Sequence, residues 1–318
     1  GPSNPPRLTR PDLCPGGTRV VNMVELGDAL TRLEAPPIKL LYNFMSNPAA
    51  VAPQSALVHE GLMRDDLFLV VHELFMTDTA LFADIILPGA SFLEMTDIYR
   101  AYGHNYLRLA RPVIPPVGQS RTNLAIFQQL AGRMGFEEEV FSLGEEDFIK
   151  GFLREEHPSL KGFDHEAFWQ EKAVRLNIPV NPYADGFNTP SGKVEFFSQT
   201  WLNKGLDPLP CGQVWRDPDG GNNYTLELIT PPHHLFLNSA FNEIPEIRKL
   251  AGRAKVLINP KDARERDIGQ GDLVRVYNNR GECSLYAEVT SDTQPGLLVA
   301  EGLHWPGLAP GGKGANQL

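Results

Sequence analysis

An α/β layer built on a parallel sheet, followed by a β-barrel, is the architecture this sequence predicts, and three observations predict it. Between residues 38 and 88 short apolar runs alternate with helical patterns, the rhythm of a Rossmann-like sheet. From Tyr224 onward the helical patterns give way to short β-rich runs separated by turn residues. Between the two textures lies "PLPCGQVWRDPDGGNN", which has the composition of a linker. The domain boundary is therefore expected near 220. Residues 1–220 form the α/β region, with 136–220 as a helical extension, and residues 221–318 form the barrel domain.

After the proline- and glycine-rich start, "VVNMVELGDALTRL" carries apolar residues at helical spacing. "IKLLYNF" reads as a buried strand that stops at Ser46-Asn47-Pro48. A strand breaking into a small-residue loop is how α/β sheets offer backbone N–H groups to phosphates, although the usual G-x-G-x-x-G is absent. That absence argues against a simple Rossmann dehydrogenase. "QSALVHEGLMRD" is helical and "LFLVV" (67–71) is a second strand. "TDTALFA" is a short helix capped by Thr77 or Asp78, and "DIILP" (84–88) is a third strand closed by proline. "NLAIFQQLAGRMG" (123–135) is an amphipathic helix ending at Gly132 or Gly135. Two acidic helices follow, "GEEDFIKGFLREEH" and "DHEAFWQEKAVRL", and then a Pro-Ser-Gly turn leads into a strand within "NTPSGKVEFFS". The barrel runs are "YTLELIT", "KVLINP", "LVRVYNN", "CSLYAEV" and "GLLVAEG", with turns at Asn279-Arg280-Gly281 and Gln294-Pro295-Gly296.

Composition bounds the function. The chain has 318 residues, 42% hydrophobic and 21% charged, enough for a real core. A formal net charge of −10 excludes a general nucleic-acid or anionic-membrane binder, which needs a basic face. No apolar run approaches the roughly 20 residues of a membrane helix, so direct membrane insertion is not expected. "GPSNPPRLTR" lacks a signal-peptide core, which points to the cytoplasm unless an export signal belongs to a longer parent. Cys14, Cys211 and Cys283 are odd in number and far apart, as in a reducing compartment, and form no C-x-x-C metal site. "HEGLM" (59–63) lacks the second histidine of a zincin. His233 and His234 are adjacent on an expected strand, so they point to opposite faces and make poor joint metal ligands. No metal ligand is assigned in this chain.

Glu73 falls at the carboxyl edge of the second strand, where two fixed carboxylate oxygens match the adjacent hydroxyls of a ribose. The stretch around it carries Thr77-Asp78-Thr79-Ala80, then Ala83-Asp84-Ile85-Ile86-Leu87-Pro88, then Glu94 with Asp97. This combination resembles the molybdopterin-guanine-dinucleotide oxidoreductases, the dimethyl-sulfoxide-reductase superfamily. A second motif set agrees: "LELITPPHHLFLNSAFNEIPEIRK", Asn259-Pro260-x-Asp262-Ala263, Gly269-x-Gly271-Asp272-x-Val274, and the terminal "EGLHWPGLAPGGKGANQL". These resemble the family's C-terminal double-psi β-barrel and its terminal cofactor loop. The resemblance covers about 36–135 and 187–318.

The resemblance implies a bis(molybdopterin guanine dinucleotide) cofactor carrying molybdenum or tungsten. Asn47, His72 and Glu73 would meet one guanosine. The loop holding Thr230, Pro231, Pro232, His233, His234, Asn238 and Ser239 would run along the other dinucleotide, with Asn316 and Trp305 near the pterin end. His104, in the Tyr102-Gly103-His104 turn, is a candidate for the active-site floor, the alternative being that it fixes the turn. Two positions depart from the family: Met95 stands where relatives often carry a lysine, and Asn123 where they often carry an aspartate. Met95 cannot serve as a cation; Asn123 can still hydrogen-bond guanine or cap its helix. The family's metal ligand and the cysteines of its 4Fe–4S cluster lie upstream of these motifs. The chain is accordingly expected to be the C-terminal portion of a larger catalytic subunit, inactive alone. Its partners would be the N-terminal domains of the same enzyme and an iron–sulfur electron-transfer subunit. Formate-dehydrogenase-like and thiosulfate-reductase-like chemistries both stay open. A non-catalytic scaffold with a vestigial pocket is the alternative.

Overall fold

Short apolar strands flanked by helices build the first layer. The computed structural model describes residues 19–153, 157–209, 224–302 and 304–318; Cys14, Cys211 and most of the expected linker lie outside them. Helix α1 (Leu26–Arg32) precedes β1 (Leu40–Phe44), and α2 (Pro48–Val51) and α3 (Ser55–Leu62) occupy the crossover to β2 (Phe68–Glu73). With β3 (Ile85–Pro88) these strands form a parallel sheet in the order β1-β2-β3. Leu69 and Val71 project to one face and meet Leu30, Val58 and Leu62 of the helices, so one side of the sheet is closed by a buried core. Helices α1 and α3 cross closely because Gly61 has no side chain; a Cβ there would collide with Leu30. The Asp84 carboxylate accepts the Leu69 N–H at 2.7 Å and fixes the entry to β3. The short helix expected over 77–83 is a single 3-10 turn, Ala80–Phe82. Of the two expected caps, Thr77 supplies the capping bond: its hydroxyl accepts the Ala80 N–H at 3.3 Å, while Asp78 and Thr79 face partners described below.

Residues 90–209 are built differently. Strands β4 (Asp97–Arg100), β5 (Tyr106–Ala110) and β6 (Val174–Arg175) pair antiparallel in the order β4-β5-β6. Around them lie α4 (Asn123–Arg133), α5 (Glu145–Phe152), α6 (His165–Trp169) and α7 (Gln199–Asn203). Leu107, Leu109, Ile149, Leu160 and the fully buried Phe168 form their core. Helix α4 ends as expected at Gly135, whose φ of 82° lets the Phe136 N–H return to the Ala131 carbonyl. Its N-cap is Thr122, whose hydroxyl accepts the Ala125 N–H, so Asn123 does not cap the helix. The Ser91 hydroxyl and N–H, then the Val117 N–H and the Ser120 hydroxyl, hold the Glu94 carboxyl down at about 2. The strand expected after Pro190 is not formed: Phe196 is exposed, and no described strand lies beside it.

The last part carries β7 (Glu227–Ile229), α8 (Pro245–Ala251), β8 (Lys255–Ile258), α9 (Pro260–Arg264), β9 (Leu273–Tyr277), β10 (Glu282–Val289) and β11 (Leu297–Val299). The strands form one mixed sheet in the order β7-β11-β8-β10-β9 over a core of Val256, Ile258, Leu285, Ala287 and Leu298. Every β-rich run expected in this part is present. The conspicuous motif residues are ties within it. Asn259 caps α9 and donates to the Thr293 carbonyl at 2.7 Å. Asp262 accepts the Gly296 N–H and Asp272 accepts the Gly269 N–H, both at 2.7 Å.

Contacts group the described residues otherwise than a single cut near 220 would. Residues 19–89 and 224–318 form one compact unit and 90–209 the other. The physical reason is that the terminal segment returns to the first sheet, as the next subsection details.

Candidate cofactor site

The loop after β7 is held by backbone pairing to the segment after β11. Pro232 bridges Gly302, the His233 N–H donates to the Gly302 carbonyl at 2.6 Å, and the Gly302 N–H donates to Pro231 at 3.0 Å. His233 Nδ1 accepts the Leu235 N–H at 3.0 Å, which turns the chain and directs the ring inward. His234 is exposed. The two histidines do diverge, but on a turn rather than a strand. The His233 ring packs 4.7 Å from Phe236 and 5.6 Å from His304, and Phe236 lies edge-on to His304 at 5.2 Å. Burial pushes the His233 pKa down; burial, then the neighbouring His233, brings His304 down to about 4. At neutral pH this is an uncharged aromatic cluster. Past it the chain reverses at Leu237–Ala240, where Asn238 takes a φ of 52°, a region asparagine tolerates.

The terminal segment closes over this loop. Trp305 Nε1 donates to the Ser239 carbonyl at 2.7 Å. The Gly307 N–H donates to Asp78 Oδ1 at 2.9 Å, and Asn316 Nδ2 donates to the Ala50 carbonyl at 2.8 Å. Gly311 and Gly312, with φ of 73° and 70°, allow the bends between these anchors. A cavity of about 160 Å³ is left between loop and terminal segment, rimmed by Thr230, Asn238, His304, Lys313 and Asn316. Its apolar part is Ala254, Leu285 and Ala300. Lys313 brings a cation there, 3.4 Å from Glu282. Of the sequence candidates, Thr230, Pro231, Pro232, Asn238 and Asn316 line this cavity; Lys313 and His304, which were not among the candidates, line it as well. Lysine between glycines in "PGGKGAN" was the available signal.

The polar residues at the first sheet serve a different end. Asn47 is buried, and its Oδ1 accepts both the N–H and the hydroxyl of Thr79, at 3.1 and 2.9 Å, while its Nδ2 donates to Asp78 at 3.5 Å. Asp78 therefore links Asn47 to Gly307. His72 has no exposed surface; its Nδ1 meets the Tyr42 hydroxyl at 3.1 Å and Phe44 packs on its ring. Both side chains face protein, not an open surface, in this structure. Glu73 is half-buried at the end of β2, bonded to the Leu74 N–H at 2.7 Å. Burial raises its pKa, and the nearby Glu243 raises it further. Asn123, His104 and Met95 belong to the other unit. Asn123 Oδ1 is buried without a hydrogen-bond partner. His104 is exposed and accepts the Tyr106 N–H at 3.2 Å, fixing its turn. Among the described residues no three His, Cys, Asp or Glu side chains gather as a metal-ligand set, and no helix is long and apolar enough to cross a membrane.

Two family models match the chain: molybdopterin oxidoreductase over residues 14–133, and the molydopterin dinucleotide binding domain over residues 226–318. The probable oxidoreductase YoaE of Bacillus subtilis is 38% identical over 298 residues, which cover 93% of this chain and 43% of that protein. Dimethyl sulfoxide reductase DmsA of Escherichia coli is 30% identical, with 83% of this chain and 36% of its own length covered. Among solved structures, acetylene hydratase from Pelobacter acetylenicus superimposes with a TM-score of 0.71 at 25% identity, covering 89% of this chain and 39% of that one. The chain spans about two fifths of the length of the curated relatives it matches.

Proposed function

The chain belongs to the molybdopterin oxidoreductases, and from that premise we propose that it is the portion of a larger enzyme that grips one end of a bis(molybdopterin guanine dinucleotide) cofactor. The observation that carries this reading is the cavity between the 230–239 loop and the 313–316 segment. Its donor set suits an anionic nucleotide: a hydroxyl from Thr230, amides from Asn238 and Asn316, and the ammonium of Lys313, beside an apolar wall. At about 160 Å³ it takes one polar end and not a whole dinucleotide. For an acidic chain, local donors of this kind replace net positive charge.

In this reading Lys313 neutralises a phosphate and Asn238 and Asn316 orient it. Trp305 and the neutral His233–Phe236–His304 cluster exclude water behind the loop. Glu73 accepts ribose hydroxyls at the rim of the first sheet, while Asn47 and His72 hold that rim in shape. The bound metal centre supplies two-electron redox chemistry to the parent enzyme. Molybdenum or tungsten as the metal, a 4Fe–4S cluster in the parent, an iron–sulfur partner subunit, a cytoplasmic site of action and a double-psi closure of the 221–318 barrel all belong to the proposal. So do the boundary near 220 and guanine contact by Asn123. The test is pterin and metal analysis of the full-length parent, co-expressed with cofactor-synthesis machinery. Near-stoichiometric pterin is expected, and Lys313→Ala and Asn238→Ala should each lower its retention on dilution without lowering the melting temperature of the cofactor-free protein. A pterin-free parent would sink the reading.

A further inference from the structure

The turn between β9 and β10 fastens the terminal segment to the mixed sheet. Asn278 shapes it: its Oδ1 accepts the N–H groups of Arg280 and Gly281 at 2.8 and 3.1 Å, and its own N–H donates to the Gly281 carbonyl at 3.0 Å. That shape aims two donors at one acceptor. Asn278 Nδ2 and Arg280 Nε both donate to the Leu318 carbonyl, at 2.9 and 2.5 Å. One residue on, Gly281 lies against Gln317, and a Cβ there would stand 2.5 Å from the Gln317 carbonyl oxygen. Next in order, Glu282 Oε1 meets the Lys313 ammonium at 3.4 Å, while Arg275 Nε holds Glu282 Oε2 at 2.5 Å.

Residues 278–282 thus grip 317–318 at one end and 313 at the other. Between the grips lie Gly314, Ala315 and Asn316, which together with Lys313 line the cavity. None of residues 278–282 lines it. The lining stretch follows Gly311 and Gly312 and contains Gly314, so its backbone has little stiffness of its own. It can present Lys313 and Asn316 at fixed places only if neighbours hold it. The bonds to Asp78 and Ala50 restrain it from the first sheet. The β9–β10 turn restrains it from the other side.

We propose that Asn278–Glu282 is a clamp that sets the geometry of the phosphate-binding segment, with Arg280 as its main positioning residue. The inference rests on the reading of this cavity as a cofactor phosphate site and deepens it. Arg280 leads because a charged donor makes a stronger hydrogen bond than the amide of Asn278, and its planar guanidinium delivers that bond in a fixed direction. Gly281 sets how closely the segment approaches. Glu282 shares its charge with Arg275, so it steers Lys313 without cancelling the ammonium, and 3.4 Å is a loose hold that an entering phosphate can replace. Donors placed beforehand in this way give up less freedom when the ligand binds.

The test uses the full-length parent, with and without cofactor, as wild type, Arg280→Ala, Arg280→Lys and Gly281→Ala. Gly281 is not among the glycines of positive φ, so its alanine acts through contact with Gln317 and not through backbone strain. In the cofactor-free parent, Arg280→Ala and Gly281→Ala should each speed amide exchange of residues 314–318 about tenfold or more, while β8, β9 and β10 keep their protection. In the loaded parent the same two variants should release pterin about tenfold faster. Arg280→Lys keeps a charged donor and should release it at an intermediate rate. Variants that loosen 314–318 yet release pterin at the wild-type rate would overturn the proposal, as would exchange that rises equally throughout the sheet. An Arg280→Lys rate equal to that of Arg280→Ala would overturn it too. Pterin held equally by all four proteins defeats this inference alone, whereas a wild-type parent without pterin defeats the cofactor reading and the clamp with it.

Discussion

Asparagines at the two rims of one compact unit do opposite work. Asn47, at the end of β1, is buried and fully engaged with Thr79 and Asp78. Asn238 and Asn316, in the 224–318 part, line an open cavity, and only one contact, from Asn316 to the Ala50 carbonyl, ties either side chain to the other rim. The same residue type serves stability in the first place and leaves hydrogen-bonding capacity for a ligand in the second. Burial decides which: a buried amide must satisfy itself within the protein, whereas one at a cavity can be completed by what enters.

The sharpest way to break this contrast is Asn47→Ala. It leaves Thr79 and Asp78 with unmatched groups, so a loss of about 3 kcal/mol is expected in denaturant unfolding. A loss below about 1 kcal/mol would place Asn47 with the ligand residues instead. Asn316→Ala removes one hydrogen bond at a wetter site and should cost only about 1 kcal/mol.

The two rims should also answer pH with opposite slopes. His304 has a folded pKa of about 4, below its unfolded value near 6.5. Its contribution is therefore present above 6.5 and lost as pH falls toward 4, and His304→Gln should flatten that acid limb of the melting profile. Glu73 is raised above 4.5, so its neutral form favours the fold below that value and the benefit is lost as pH rises through the folded pKa. Glu73→Gln should gain under about 1 kcal/mol at pH 7 and nothing at pH 4, read as the difference between two thermal scans. The smallest effect concerns Cys283, buried in β10 and pushed up to about 11 by burial. Its peptide should stay unalkylated at pH 8 until the protein unfolds, as mass mapping would reveal.

Strand-level structure was well legible wherever apolar runs were bounded by turns. β1, β2, β3 and all five strands of the mixed sheet fall on expected runs, because period and breakers are local properties. The β4–β5 hairpin went unread: "DIYR" and "YLRLA" are short, and their pairing depends on Leu107 and Leu109 meeting a core supplied by residues 149–176. The strand expected at Val194–Phe196 failed for the converse reason, since propensity without a partner does not make a strand. At the site, the resemblance named the 230–239 loop and Asn316 but not which side chains are buried. Asn47 and His72 were named as guanosine contacts by the resemblance alone, which carries no information on burial. Only the fold shows that Tyr42 and Phe44 enclose one and Asp78 and Thr79 the other.

The bonds from Gly307 to Asp78 and from Asn316 to Ala50 join residues 229 and 266 positions apart. On a ribosome adding about 5–20 residues per second, the Ala50 carbonyl emerges tens of seconds before its partner exists. Until the last residues are made, the loop after β1 therefore stands without either latch, and its closure waits on the end of the chain.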